Sequence, residues 1–384
     1  METIHIVGAG PAGLMAAQEY ALQGHPVIVY DHKAAAARKF LVAGNGGFNL
    51  SHAEPLDVFL DRYDSEQIKE IVQTFNNKDT VSWLESIGVP TFIGSSGKVF
   101  PVKGIKPIEV LQRWLLRLSQ LGVDFKFGYY LSDFDSRKLT FLTVNKQIEV
   151  IYNHAVLALG GRSWPKTGSD GKWIDLFQNK GIAVTATGSA NSGLELATVY
   201  SSLAGQPLKN VRLFNRYAEK YGELVFTDYG IEGNAVYHLN RAVRSQAFPQ
   251  ELFIDLKPSF DESRIISAFN GEKISNVLKR QLRLGPTKIS LLRTLDKDVY
   301  TSPSKLAYII KNFPLKVTGF RPVEEVISTH GGVSWDELNP NLSLKKYPAI
   351  QLCGEMLAWD APTGGYLLQA CFATGYYTAR GETH

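Results

Sequence analysis

The first 31 residues constrain the fold more than any other part of this chain. "TIHIV" is a short β-rich run leading into Gly8-x-Gly10-x-x-Gly13, and "PAGLMAAQEYALQG" follows with an apolar face at Leu14, Ala17 and Leu22 before Gly24 ends it. That spacing predicts a strand and then a helix. "PVIVYD" reads as a second strand closing on Asp31. Strand, helix and strand in so few residues predict a βαβ unit, and with it a parallel sheet. The glycines have separate expected tasks. Gly8 allows the tight turn, Gly10 lets the backbone approach a pyrophosphate, and Gly13 permits close packing of helix on strand. Phosphates would sit on the helix N-terminus, beside Pro11 and Ala12, where unpaired N–H groups and the macrodipole favour anions. Asp31 stands 18 residues beyond Gly13, close to the ~20 expected of an acid that holds a ribose hydroxyl pair. Its charge argues against a 2′-phosphate there.

Further along, Pro55 to Gly88 has helical spacing, with Trp83, Leu84 and Ile87 on one face, and "KPIEVLQRWLLRLSQLG" is a strongly amphipathic helix. "VDFKF", "KLTFLTV" and "QIEVIY" alternate in a way that predicts an antiparallel meander, whereas "HAVLALGG" is a continuous apolar strand of the buried parallel type. Between about Thr187 and Glu325 the character changes to alternating strands and short helices rich in Lys and Arg. The basic residues there, Lys279, Arg280 and Arg283 among them, read as a solvated face. The expected fold class is α/β, a Rossmann-like domain with an antiparallel meander, plus an inserted β-barrel-like domain with a small helical subdomain. The expected boundaries are 1–186 and 329–384 for the first domain, 187–258 and 315–328 for the β insert, and 259–314 for the helical part.

Composition sets outer limits. With 384 residues, 44% apolar and 20% charged, the chain is an ordinary globular sequence long enough for two or three domains. A net charge of +4 is small for this length, and no basic stripe stands out at this level; that argues against a nucleic-acid partner. Cys353 and Cys371 cannot make a disulfide framework or a C-x-x-C pair, read as small core residues, and fit a reducing compartment. No apolar run approaches the ~20 residues that span a membrane. "TIHIVGAG" is already a core strand and turn, so no signal peptide is expected and the expected location is cytoplasmic. No His or Cys cluster has metal-ligand spacing.

Three later segments carry chemistry. "AARKFLVAGNGGFNLSH" holds Arg38, Lys39, Asn45, Gly46, Gly47 and Asn49, a glycine and amide density suited to backbone passing close to a planar polar ligand. "LALGGRSWPKTGSDG" ends a buried strand in Gly160-Gly161. "LCGEMLAWDAPTGGYLLQA" repeats the design: a strand ending at Gly354-Glu355, a loop, then Gly364-Gly365 opening a helix. A nicotinamide dinucleotide alone needs one phosphate turn. FAD is long, and a protein holding its ADP half at residues 8–13 needs a second donor cluster for the flavin half. The closing turn is the expected cluster, its helix dipole stabilising the anionic reduced ring.

Seven stretches then match a known group in order: "IVGAGPAGLMAA", "ARKFLVAGNGGFNLSH", "GKVFPVKGIKP", "LALGGRSWPKTGSDG", "GELVFTDYGIEG", "THGGVSWDELN" and "GEMLAWDAPTGGYLLQACFATG". The chain resembles the HI0933-like flavoproteins of the two-dinucleotide-binding superfamily. The resemblance implies an FAD-binding Rossmann-like domain built from both chain ends, an inserted barrel-like domain with a helical subdomain, and oxidoreductase activity. It also implies NADH or NADPH as transient reductant and a small organic acceptor, enone-type in at least one relative. This chain differs from its relatives at Gly47-Phe48, Asp228, Glu232, Asn234 and Ala358, on the side facing the implied substrate. The full expected cofactor set adds His32, Lys33, Leu131, Ala158, Leu159, Thr363 and Tyr366 to the residues above. His330, Tyr229 and Tyr366 are the candidate proton donors. Two other readings stay open: an FAD-dependent RNA-modifying enzyme, and a non-catalytic flavin-binding protein.

Overall fold

The computed structural model describes residues 1–42 and 48–381 and divides the chain into two compact units, Met1–Gly188 with Val323–His384, and Ser189–Pro322.

The first unit is organised by a five-stranded parallel sheet of β1 (Ile4–Val7), β2 (Val27–Asp31), β3 (Asp124–Phe127), β4 (His154–Leu157) and β5 (Ile350–Leu352), in the order β5-β4-β1-β2-β3. β1 is central, with Ile4 opposite both Val27 and His154, and all four of its residues are buried. Residues covered on both faces need no alternation, which is why β4 reads as an apolar run after His154 and why β1 is apolar but for His5, a buried ring within hydrogen-bond distance of the Tyr30 hydroxyl at 3.1 Å. Helix α1 (Pro11–Leu22) packs against the last helix, α2 (Tyr366–Arg380). Gln23 Nε2 donates to the Ala379 carbonyl at 2.7 Å and the Arg380 guanidinium donates to Glu19 at 3.2 Å, so the two chain ends are tied together. In α2 the buried Gln369 accepts from the hydroxyls of Ser51 and Thr80, both at 2.8 Å, and donates to the Phe75 carbonyl at 2.7 Å. A buried amide satisfied on both ends fixes this helix rather than costing stability.

The meander needs a correction. "VDFKF" does not join it: β3 pairs in parallel with β2, Ile28 opposite Asp124 and Asp31 opposite Phe127. The antiparallel meander is Tyr130–Phe134, Lys138–Leu142 and Gln147–Ile151. An edge strand of a parallel sheet has one wet face and alternates like a strand of a hairpin, so periodicity alone could not separate the two.

The second unit is a closed antiparallel barrel. Its strands run in the order Leu194–Leu196, Gly230–Glu232, Glu219–Phe226, Pro207–Phe214, Gln250–Asp255, Phe313–Phe320, and the last pairs back with the first. Inward residues such as Leu213, Leu224, Phe226, Leu252 and Val317 fill it. Short helical segments between Glu262 and Lys311 separate its last two strands in the chain. Two lysines fasten that excursion: Lys311 pairs with the buried Asp255 at 2.6 Å, and Lys288 donates to the carbonyls of Leu256 (2.6 Å) and Asn210 (3.0 Å).

Candidate cofactor-binding site

A cavity of 380 Å³ in the first unit opens where β1, β2, β4 and β5 end. Crevices at the carboxyl ends of parallel strands are where open α/β sheets bind ligands, because the strand-to-helix turns present backbone N–H groups there.

Each wall follows from local sequence. Gly8 has φ +107°, and a Cβ on it would stand 2.2 Å from the Ala158 carbonyl oxygen, so the turn from β1 lies directly against β4. A Cβ on Gly13 would meet the Gly8 carbonyl at 1.9 Å; this glycine packs the turn and does not line the cavity. Around Gly10, by contrast, nothing stands within 4 Å of an added Cβ, and Gly10, Pro11 and Ala12 form the cavity floor. The N-terminus of α1 has Pro11 at its start and no side-chain cap. Its first N–H groups and the dipole behind them are available to an anion. Asp31 closes β2 beside this floor, its carboxylate accepting from the backbone N–H of Ala9 and of Lys33, both at 2.8 Å. Those bonds aim the carboxylate and leave lone pairs for hydroxyl donors.

The opposite side is charged and braced. Lys39 donates to Ser163 Oγ at 2.7 Å and to Glu355 Oε2 at 2.8 Å, which joins the segment after β2 to the end of β5. Arg38, Leu131, Ala158, Leu159, Gly160 and Gly354 also border the cavity. Gly161 packs behind it, where a Cβ would stand 2.3 Å from Thr329 Oγ1. Cys371 corrects the expectation of a plain core residue, because α2 turns this position onto the cavity wall. Burial and the neighbouring Glu355 push its thiol up to about 12, so it stays a protonated, poorly nucleophilic group.

Among the described residues, two buried polar atoms in this wall have no hydrogen-bond partner: His32 Nε2 and Ser169 Oγ. Burial lowers the His32 pKa, against the raising influence of Asp31, so the ring is neutral at pH 7 and each orphaned atom awaits a donor or acceptor. Buried polar atoms in folded proteins are normally satisfied. Together with the open floor at Gly10, they fit a ligand with phosphate, hydroxyl and heterocycle chemistry.

Other expected residues lie elsewhere. Asn45, Gly46 and Gly47 fall outside the described residues. Lys33, Asn49, Thr363, Gly364 and Gly365 do not border the cavity; Gly365 caps α2 and sits against Ser51, whose Cα would be 2.5 Å from an added Cβ. Tyr366 is buried against His52, with ring centroids 5.6 Å apart, and its hydroxyl donates to Glu54 at 2.6 Å. Arg62 grips the same carboxylate at 2.8 Å, and burial with Glu54 raises the Tyr366 pKa. His330 lies against Gly188, where an added Cβ would stand 2.6 Å from Nε2. Tyr229 belongs to the second unit, donating to Glu232 at 2.7 Å beneath the Arg321 guanidinium. Sequence reasoning singled out "LALGGRSWPKTGSDG" for its glycine pair but did not name the wall that follows it, Thr167 to Asp170 with Lys172 and Trp173, of which Trp173 Nε1 donates to the Gly160 carbonyl at 2.9 Å. The signal for it is "WPKTGSDG", a turn-rich run that follows the more conspicuous glycine pair.

A profile of the HI0933-like protein Rossmann domain matches residues 2–381. The chain belongs to the HI0933-like family. Curated relatives include a 3-dehydro-bile acid delta(4,6)-reductase of Clostridium scindens, 24% identical over 99% of this chain and 98% of the relative. A ribosomal RNA dihydrouridine synthase of Haemophilus influenzae is 22% identical over 97% of this chain and 96% of the relative. Among solved structures, a flavocytochrome c3 fumarate reductase shares the fold at TM-score 0.54 and 13% identity, covering 98% of this chain and 78% of its own. A 3-ketosteroid-delta4-(5alpha)-dehydrogenase of Rhodococcus jostii RHA1 does so at 0.53 and 15%, covering 98% and 95%. The α/β architecture that the first 31 residues predict is therefore one that this HI0933-like chain shares with known oxidoreductases.

Proposed function

We propose that this chain is an FAD-dependent reductase, using NADH or NADPH, of a carbon–carbon double bond conjugated to a carbonyl. The observation that carries the FAD reading is the cavity itself: an uncapped α1 N-terminus over an open Gly10, Asp31 aimed by two backbone N–H groups, and two orphaned buried polar atoms. Gly10 to Ala12 would hold the pyrophosphate, Asp31 a ribose, and Glu355, braced by Lys39, the chain toward the flavin. Bound FAD supplies hydride-transfer chemistry. The acceptor class is supported by the names of the two curated relatives, a delta(4,6)-reductase and a dihydrouridine synthase. Both designate saturation of a double bond in conjugation with a carbonyl.

Such a reduction also needs a proton, and the protein must deliver it. Burial, with the neighbouring carboxylates of Glu54 and Glu232, pushes the Tyr366 and Tyr229 phenols up and away from neutral pH, whereas imidazole is the side chain whose ordinary pKa lies nearest neutrality, so we place His330 first. His330→Asn should keep FAD content and its reduction by NAD(P)H while slowing reoxidation by an enone about 10²-fold or more; stopped-flow absorbance separates the two half-reactions, and equal slowing of both would remove His330 from the role.

The deciding experiment is anaerobic. Purified protein should release FAD on denaturation, bleach on addition of NADH or NADPH, and regain colour with a 3-oxo-Δ4 steroid or another cyclic enone. Protein that takes up no flavin defeats the reading outright. A second reading, uracil in RNA as acceptor, is favoured by charge segregation: the second unit has 19 Lys and Arg against 12 Asp and Glu, while the first has 22 against 25. Recovery of colour with RNA and not with enones would select it.

A further inference from the structure

The second unit carries a surface that the cofactor cavity does not use. Between Glu272 and Asp296 the chain runs 23 residues without an Asp or Glu and holds six Lys and Arg. A net charge of +4 for the whole chain conceals this run, which is why composition alone argues against a basic stripe. The segment folds as Ile274–Asn276, a π-helical turn Val277–Gln281 and the helix Pro286–Leu292. Val277, Leu278, Leu282, Leu291 and Leu292 go into the core of the unit. Burying that face turns the intervening basic positions outward. Lys288 is the exception, buried and spent on two backbone carbonyls. Lys273, Lys279, Arg280, Arg283 and Arg293 are all exposed.

An ordinary solvated face intersperses both signs, so that neighbouring charges offset each other. Here no acidic residue within the segment offsets the five cations. We propose that this basic cap is a docking surface for the phosphate backbone of RNA, a proposal that rests on the second reading above for the choice of RNA. Its chemistry disfavours a lipid surface. Membrane-surface segments need exposed apolar anchors beside their cations, and among the described residues no large exposed hydrophobic side chain occurs between Ile266 and Tyr308. The exposed neighbours include Ser275, Gln281 and Ser290, hydroxyl and amide groups of the kind that bond phosphate and sugar oxygens.

The test uses the full FAD-loaded protein and a fluorescein-labelled fragment of ribosomal RNA, titrated by anisotropy at several salt concentrations. Every phosphate that the protein no longer neutralises lowers the slope of log K against log salt by ~0.7 for a single strand and ~0.9 for a duplex. K279E/R280E/R283E should therefore bind at least about tenfold more weakly, with a slope smaller by about two, while flavin content and melting temperature stay at wild-type values. K279A/R280A/R283A should weaken binding less, in the same direction. The control K78E/K103E/K146E makes the same charge change on exposed residues of the first unit and should leave binding near wild type. The proposal is overturned by a cap triple with unchanged affinity and slope, by an equal weakening in the control, or by wild-type protein that binds phosphatidylglycerol vesicles but no RNA at low salt. RNA bound through the cap but never reduced would sink the RNA-reduction reading and leave the surface standing.

Discussion

Asp31 combines two tasks in one carboxylate: it accepts the N–H groups of Ala9 and Lys33, and it offers its remaining lone pairs to the cavity. Asn at this position keeps one acceptor and turns a donor toward the second N–H. Hydrogen bonds to an ionised acceptor are worth about 1.5–3 kcal/mol, so Asp31→Asn should weaken FAD binding tenfold or more, measured as flavin fluorescence quenching against protein concentration; an unchanged Kd would remove Asp31 from the site. Acid acts on a different set of side chains. Burial lowers the pKa values of His5, His32 and His154. The unfolded chain, with ordinary values near 6.5, then binds more protons than the folded one as pH falls below that point. Their contribution to stability is complete above about 6.5 and is lost as pH falls through the lower folded values, with a slope of at most ~1.4 kcal/mol per pH unit per histidine. Urea midpoints from pH 8 to 5 should fall more steeply for the native chain than for His5→Phe, and parallel curves would refute the assignment. Asp31 was legible because its spacing from the glycines is set by the βαβ unit. Cys371 was not, because which face of a helix meets a cavity depends on a crossing partner that no local pattern encodes.

At the scale of elements, α1 and α2 approach closely where Gly375 faces Ala12. A Cβ on Gly375 would stand 2.2 Å from the Ala12 carbonyl oxygen, so a larger residue must push the N-terminal turn of α1, the cavity floor, away from α2. Overpacking of this kind costs about 1–3 kcal/mol. Gly375→Ala should lower the melting temperature and the FAD content together, read by thermal unfolding and by the ratio of flavin to protein absorbance. A loss of stability with full flavin occupancy would show that the floor does not depend on this crossing. The helix Pro107–Gln120 could be read from sequence because its buried residues Val110, Leu111, Trp114 and Leu118 follow a period of 3.6. Helix α1 could be placed but not its face, since Ala12 to Tyr20 are buried on every side and Leu22, expected on the apolar face, is exposed. The placement of β3 could not be read, since it pairs with a strand far upstream, Ile28 opposite Asp124. Long-range pairing is decided by which edge is left open, and an open edge is a property of the assembled sheet.

For the whole molecule, most buried hydrophobic side chains among the described residues fall into two clusters, one within the first unit and one confined to Leu194–Phe320. The second unit also enters and leaves at neighbouring points, since Ser189 Oγ donates to the Arg321 carbonyl at 2.8 Å. An insertion with adjacent ends and its own core places little demand on the chain that receives it, because closing the gap costs only the entropy of a short loop. Replacement of residues 189–322 by a short Gly-Ser linker should therefore leave a first unit that stays in solution and binds FAD, since every residue bordering the cavity lies outside the excised segment. The same deletion should abolish RNA binding if the basic cap supplies it, and the excised unit, expressed separately, should keep it. Flavin content of the shortened chain and anisotropy of labelled RNA with each piece measure these outcomes. A first unit that aggregates or loses FAD would mean that the two cores, separate in their packing, are not separate in their folding.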